Sequence, residues 1–127
     1  MMHDFGAGPV PAHQHPNGGG WVADSAFVDA DCHVGQSAVV YDQAMVHGMS
    51  YLFDSTRVFG FAVISGRVFL GERIRVGGRV KLSGHVALNG DGELGGNISL
   101  DVPFAGGPLV MGSPIIHRLP LAAARRG

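Results

Sequence analysis

The sequence predicts an all-β fold made of very short strands joined by corners at constant intervals. Three observations support this: an aliphatic residue recurs at every sixth position, a small or aliphatic residue lies two positions before it, and most often glycine or aspartate lies two positions after it. Neither the 3.6-residue period of a helix nor the alternation of a long strand gives this spacing. The recurring aliphatics are Val22, Val28, Val34, Val40, Val46, Leu52, Val58, Ile64, Leu70, Val76, Leu82, Leu88, Leu94 and Leu100.

Each six-residue unit contains one strand and one corner. Ala38 and Val68 illustrate the position two residues before the aliphatic, and alternate residues of an extended strand point to the same side. Both positions therefore enter one interior. Asp42 and Gly66 illustrate the position two residues after it, where residues that favour turns predominate.

This pattern resembles the hexapeptide repeat of left-handed parallel β-helices, in which three hexapeptides form one triangular coil. The resemblance covers residues 22–100 and implies the left-handed winding. Thirteen hexapeptides give a little over four coils. We predict one β-helical domain at residues 21–100, preceded by a flexible Gly- and Pro-rich arm at 1–20. An extended, non-repeat cap or arm should follow at 101–127, where the six-residue register is lost and prolines recur.

Composition limits the class of protein. A chain of 127 residues with 46% hydrophobic residues can form one domain with a substantial core. Its single cysteine, Cys32, excludes an internal disulfide framework. The first twenty residues lack the basic and apolar regions of a secretory signal, and no apolar run is long enough to span a membrane. We expect a cytoplasmic protein without a membrane partner.

Outward-facing residues 18 positions apart should stack about 4.8 Å from each other on successive coils. Apolar and aromatic residues follow three such columns, and an outward apolar surface of this kind usually marks a protein contact. The resembled family commonly forms trimers about an axis parallel to the helix, so we expect a homotrimer, although the chain's own tails could cover some of these rings. The predicted interface residues are Phe27, His33, Tyr41, Met45, Tyr51, Phe59 and Phe69.

Charge is distributed unevenly along the chain although the formal net charge is only −1. Residues 22–56 contain five aspartates and no lysine or arginine, whereas residues 57–85 contain six cations and the single acid Glu72. Folding needs alone do not readily explain this change, so the basic coils are the predicted binding surface. Guanidinium groups bind phosphate and carboxylate in a bidentate manner. The predicted ligand-binding residues are Arg57, Arg67, Arg73, Arg75, Arg79, Lys81 and His85.

The alternative for these cations is a solvated charged face with weak ion pairs. Glu93 below Arg75 and Asp91 below Arg73 would neutralise part of the charge. Duplex DNA is an unlikely partner because the cations are few and the net charge is not positive.

Enzymatic chemistry has weaker support. The resemblance suggests acyltransferases with a histidine base, but their acceptor-shaping loop has no counterpart in the uninterrupted register at 22–100. A γ-class carbonic anhydrase needs paired histidine ligands, which His33, His47 and His85 do not offer at their spacing. His13 and His15 could bind a metal, yet a flexible arm explains them more simply. No catalytic residue, metal site or cofactor is therefore predicted.

The opening HPNGGGWVADSAFVDADCHVG, followed by AVVYDQAMVHG, resembles small hexapeptide-repeat proteins of bacteria, phages and prophages. The resemblance implies a compact binding or scaffold protein, which in a phage would capture a host protein or a nucleotide signal. Three hypotheses stay open. They are a non-enzymatic trimeric protein that binds an anionic ligand or a host protein, a structural β-helical element of a phage particle, and a degenerate acyltransferase.

Overall fold

The protein is a parallel β-helix of about five turns in the computed structural model, which describes residues 2–6, 8–102, 109–112, 115 and 116. No helix occurs among these residues, and the all-β prediction is confirmed. The strands are β1 (Met2–Asp4), β2 (Pro9–Gln14), β3 (Trp21–Ala23), β4 (Phe27–Val28), β5 (His33–Val34), β6 (Val39–Val40), β7 (Met45–Val46), β8 (Tyr51–Leu52), β9 (Arg57–Val58), β10 (Val63–Ile64), β11 (Arg67–Leu70), β12 (Arg75–Val76), β13 (Lys81–Asn89), β14 (Glu93–Leu94), β15 (Ser99–Val102), β16 (Leu109–Gly112) and β17 (Ile115–Ile116).

The coils present three faces. The first face contains β3, β6, β9, β12, β14 and β17, in that order and all parallel. The second face contains β4, β7, β10, the beginning of β13, and β15. The third face contains β5, β8, β11, the end of β13, and β16. Strand β13 is long because it continues from the second face to the third.

The predicted 18-residue stacking is confirmed by the strand register. On the first face, Val40 pairs with Val58, and Val58 with Val76. The recurring aliphatics fill the interior, where all of them are buried except Val28, which is half-buried in the first coil. The small or aliphatic residues that lie two positions before them pack beside them, so the core is a continuous column of interdigitated apolar side chains.

The corners explain why glycine and acidic residues recur. Ten consecutive corner positions, at intervals of six from residue 42 to residue 96, have positive φ. At Gly66 (φ 84°), an added Cβ would lie 2.6 Å from the carbonyl oxygen of Gly84 in the next coil. Only a residue without a side chain fits this position without displacing the backbone.

Three corners instead carry Asp42, Asp54 and Glu72, at φ values of 60°, 55° and 58°. Each of their carboxylates accepts a hydrogen bond from the corner N–H of the coil beneath. The N–H groups of Gly60 and Glu72 donate to Asp42 and Asp54 at 3.1 Å, and that of Gly90 donates to Glu72 at 2.7 Å. These acids therefore connect successive coils.

The N-terminal segment, predicted as a flexible arm, contains two strands in the structure. Strand β1 pairs antiparallel with β2, and β2 pairs antiparallel with β3 of the first face. The carboxylate of Asp4 accepts the N–H groups of Gly6 at 2.7 Å and Gly8 at 3.1 Å, which lowers the pKa of that carboxyl. Mobility of this segment stays a prediction.

Residues 15–20 cover the upper edge of the first coil. Asn17 Nδ2 donates to the Cys32 carbonyl at 3.1 Å, and the Gly20 N–H donates to the Val34 carbonyl at 2.9 Å. The buried His15 ring accepts the Asn17 N–H at Nδ1 (3.1 Å) and lies 3.0 Å from the Asp29 carbonyl through Nε2. An open first coil would expose carbonyl groups that invite further strands, so this segment caps the N-terminal end.

The segment predicted as a C-terminal cap or arm contributes further strands where it is described. Val86 pairs with Leu109, and Leu94 with Ile116, so the pairing continues with a shifted spacing. Unpaired backbone groups at the lower edge of β13 and β14 provide the reason, because additional parallel strands satisfy them. The rest of the predicted arm, at 103–108, 113–114 and 117–127, lies outside the described residues.

Candidate functional site

The seven predicted ligand-binding residues do not share one face. Arg57 and Arg75 are partners on the first face, and Arg67 and His85 are partners on the third. Lys81 begins β13 on the second face. Arg79 lies at the corner before it, and Arg73 at the corner that follows β11. The cations therefore form small separate groups.

Arg57 and Arg75 contact other parts of their own chain. Arg57 Nη1 donates a hydrogen bond to the Phe5 carbonyl at 3.2 Å, which attaches the N-terminal segment to the first face. Arg75 Nε lies 3.6 Å from Glu93 Oε1, with both side chains partly exposed. The stacking of Glu93 below Arg75 is as predicted. Arg57 thus has a structural role that the sequence hypothesis did not assign to it, whereas the ion pair of Arg75 with Glu93 is of the kind that its alternative expected.

Arg79 and Lys81 line one groove with a volume of about 460 Å³. Val80 between them is buried, whereas the side chains of Arg79 and Lys81 are exposed. The lining contains no acidic residue. It consists of Phe61, Arg79, Lys81, Asn97, Ile98 and Ser99.

The groove combines an aromatic ring with hydrogen-bond donors. The Arg79 guanidinium carbon lies 5.6 Å from the centroid of the Phe61 ring, which is 55% exposed. A cation over a ring face gains electrostatic attraction and limits the positions that the guanidinium can take. Two neighbouring cations repel each other unless an anion lies between them, so this groove is suited to a phosphate or carboxylate.

The predicted site therefore lacked Phe61, Asn97 and Ser99. The signal was available, because Phe61 and Asn97 lie 18 positions before and after Arg79, and Ser99 lies 18 after Lys81. Reading the columns for aromatic and polar neighbours of each cation would have found them.

Stacked rings follow the third face. The centroids of His33 and Tyr51 are 6.1 Å apart, those of Tyr51 and Phe69 are 5.0 Å apart, and Phe53 lies 5.8 Å from Tyr51. We call these four residues the ring strip. The Tyr51 ring stacks with the other three, while Phe53 and Phe69 keep exposed side-chain surface at the margin of the strip.

Tyr41 and Phe59 are partly covered by their own chain. Phe5 of the N-terminal segment stacks on Tyr41 at 5.0 Å, and Tyr41 stacks on Phe59 at 5.3 Å. An added Cβ on Gly77 would lie 2.3 Å from the Phe59 ring, so Phe59 rests on the Gly77 backbone. Of the predicted interface residues, Phe27, Met45 and Phe69 have clearly exposed side chains.

The histidines and the cysteine do not assemble a catalytic site among the described residues. His13 contacts Asp24 at 2.8 Å, while His15 is buried in the cap. No group of three or more His, Cys, Asp and Glu side chains suited to a metal ion occurs in the described ranges. Burial raises the pKa of the Cys32 thiol, which opposes a role as a nucleophile.

The chain matches no protein-family model, no curated protein and no solved structure. Among its described residues, no helix has the length and apolar character needed to cross a membrane.

Proposed function

We propose that this β-helix is a non-enzymatic binding protein that captures a small anionic, nucleotide-like ligand in the groove of Arg79 and Lys81. The observation that carries the proposal is the convergence of two cations and an exposed aromatic ring on one groove whose lining contains no acid. The 460 Å³ groove has the size of a site for a small molecule.

Each lining group has a role in this proposal. Arg79 supplies a bidentate fork for phosphate oxygens, and Lys81 adds a second, mobile charge. Asn97 and Ser99 offer neutral hydrogen-bonding groups beside the cations. The Phe61 ring provides an apolar surface for a base or another planar group.

Calorimetric titration of mononucleotides, cyclic nucleotides and inorganic phosphate tests this function. The double variant Arg79→Gln/Lys81→Gln removes both charges and should lower the affinity of any bound anion at least about tenfold, since charge-assisted hydrogen bonds are among the strongest contacts. Arg57→Gln/Arg75→Gln is the matched control, because it removes the same charge elsewhere. Equal losses in the two variants would show a general charge effect and contradict the groove.

We also propose that the protein assembles as a homotrimer and that its subunit contacts bury the ring strip. The exposed apolar surface of Phe53 and Phe69, both of which stack on Tyr51, supports this. Sedimentation velocity at micromolar concentration should give the mass of three subunits. Phe69→Glu should shift the protein to monomers while Val10→Glu, an equally exposed site, should not. A wild-type monomer under these conditions would contradict the proposal.

We propose further that the protein is encoded by a phage or prophage, acts in the cytoplasm and captures a nucleotide signal of the host. Its support is the sequence resemblance together with a binding groove that needs no catalytic group. Incubation of the protein with a host extract, followed by native mass spectrometry, would identify a retained ligand. Retention of a protein instead of a small anion would contradict it.

A further inference from the structure

Two exposed methionines lie on either side of a histidine in the stretch Met45-Val46-His47-Gly48-Met49, which begins on the second face and passes the corner after it. Met45 is 40% exposed and Met49 is 47% exposed, whereas Val46 between them is buried. Strand β7 ends at Val46, and the half-buried His47 follows it at the start of the corner. Met49 follows the corner at Gly48, where φ is 78°.

The His47 ring is positioned by residues of the preceding coil. Its Nδ1 lies 3.6 Å from Asp29 Oδ2, and the same carboxylate oxygen accepts the Gly48 N–H at 2.9 Å. The Phe27 ring lies 5.3 Å from the imidazole, and Phe27 is the strand partner of Met45. The imidazole therefore lies close to the ring of the residue that pairs with Met45.

A carboxylate beside one ring nitrogen favours the proton on that nitrogen and leaves the lone pair on the other. The Asp29 carboxylate lies on the Nδ1 side of the His47 ring, so the proposal assigns Nε2 to the metal. Metal-binding histidines commonly have such a carboxylate partner, which orients the ring and increases its basicity.

We propose that Met45, His47 and Met49 form a binding site for a soft monovalent metal ion of the copper(I) class. Thioether sulfur selects Cu(I) among the common metals, and imidazole is a compatible ligand. The unbranched methionine side chain rotates about three bonds, and the proposal requires both thioethers to turn toward His47 Nε2. Two thioethers and a neutral imidazole give a site that calcium or magnesium, which require oxygen ligands, would not occupy.

The competing role for these methionines is an adaptable apolar contact with another protein, since methionine is common at such surfaces. The orientation of His47 by Asp29 favours the metal, because a purely apolar contact would gain nothing from a charge-oriented imidazole. The site uses no residue of the Arg79 and Lys81 groove, so the two proposals succeed or fail separately.

Silver(I) is the probe, because it is a redox-inert substitute for copper(I). The full-length Cys32→Ala protein with carbon-13-labelled methionine methyl groups is titrated and followed by nuclear magnetic resonance. The Cys32 change removes a thiol that would compete for silver, and alanine already occupies the equivalent positions 38 and 44. The methyl signals of Met45 and Met49 should shift together and saturate at one equivalent, while that of the exposed Met2 stays unchanged.

Three variants define the ligands. Met45→Leu/Met49→Leu and His47→Gln should each lower silver(I) and anaerobic copper(I) affinity at least about tenfold, measured against a competing chelator. Met2→Leu, which removes another exposed methionine, should not change the affinity. Equal shifts at all methionines, or an equal loss in Met2→Leu, would overturn the site. If the methyl signals changed with protein concentration but not on addition of silver(I), the metal site would be overturned in favour of a protein contact.

Discussion

The coils at residues 22–56 and those at 57–85 share one core but differ in the use of their charged residues. In the upper coils, Asp29, Asp42 and Asp54 each accept a backbone N–H from the coil beneath. In the lower coils most corners are glycine, with Glu72 as the acidic exception. The excess of aspartate at the upper end therefore reflects, in part, a structural need at the corners.

The cations of the lower coils divide into two kinds. Arg57 and Arg75 contact Phe5 and Glu93 of their own chain. Arg79 and Lys81 instead project into a groove without an acidic lining residue. The sequence hypothesis treated the whole change of charge as a binding signal. The comparison restricts that signal to Arg79 and Lys81, because Arg57 and Arg75 contact groups of their own chain.

The largest expected effect comes from the core that both regions share, at their boundary. Val58→Asp places a carboxylate where the side chain is fully buried, so it should cost about 4 kcal/mol or more and unfold the protein. Val63→Asp is the control, since Val63 points outward on β10, the next strand along the chain. Thermal unfolding by circular dichroism measures both. An unchanged melting temperature for Val58→Asp would contradict the register of the whole helix.

Most of the fold could be predicted from the sequence because its regularity is local. Each hexapeptide repeats the same choice of inward and outward positions, so the pairing of Val40 with Val58 follows from counting. The N-terminal strands could not be found in this way. The segment Pro9–Gln14 has no repeat to count, and its place is set by contacts with distant residues such as Arg57.

The site was less predictable for a geometric reason. Counting by 18 gives the vertical neighbours of a cation, and it correctly stacked Arg57 over Arg75 and Arg67 over His85. Counting does not show which stacks of side chains on either side of a corner come together to line one groove. The groove of Arg79 and Lys81 depends on that lateral arrangement, which only the folded coils supply.

A glycine at a positive-φ corner should be more sensitive to substitution than a glycine that directly follows a strand. Gly66→Ala places a side chain at φ 84°, with its Cβ 2.6 Å from the Gly84 carbonyl oxygen, and should cost about 2–3 kcal/mol. Gly71→Ala should be nearly neutral, because its nearest neighbour would be the Asn89 Cβ at 3.9 Å. Urea unfolding compares the two variants. Equal stabilities would show that the corner backbone can adjust.

An acidic corner should be replaceable at a moderate cost. Asp54→Ala removes the acceptor of the Glu72 N–H and keeps a side chain at φ 55°, so we expect a loss of about 1–2 kcal/mol. Asp54→Gly also removes the acceptor but relieves the backbone, and it should recover part of that loss. If the alanine variant were as stable as the wild type, the acids of the upper coils would have no structural role at their corners. The difference between the two regions would then again need a functional explanation.

The smallest expected effect concerns a cation that the comparison assigns to structure. Arg57→Gln removes the charged donor that lies 3.2 Å from the Phe5 carbonyl, and should cost about 1 kcal/mol or less in global stability. Its main effect should be local: because that bond attaches the N-terminal segment to the first face, amide hydrogen exchange in Met2–Asp4 should accelerate while the coils stay protected. Arg75→Gln is the control, since an exposed ion pair contributes little and lies away from Phe5. Faster exchange in both variants, or in neither, would show that the Arg57 bond does not hold β1 and β2, which would then depend on pairing with β3 and on the stacking of Phe5 on Tyr41. It would also return Arg57 to the cations available for ligand binding.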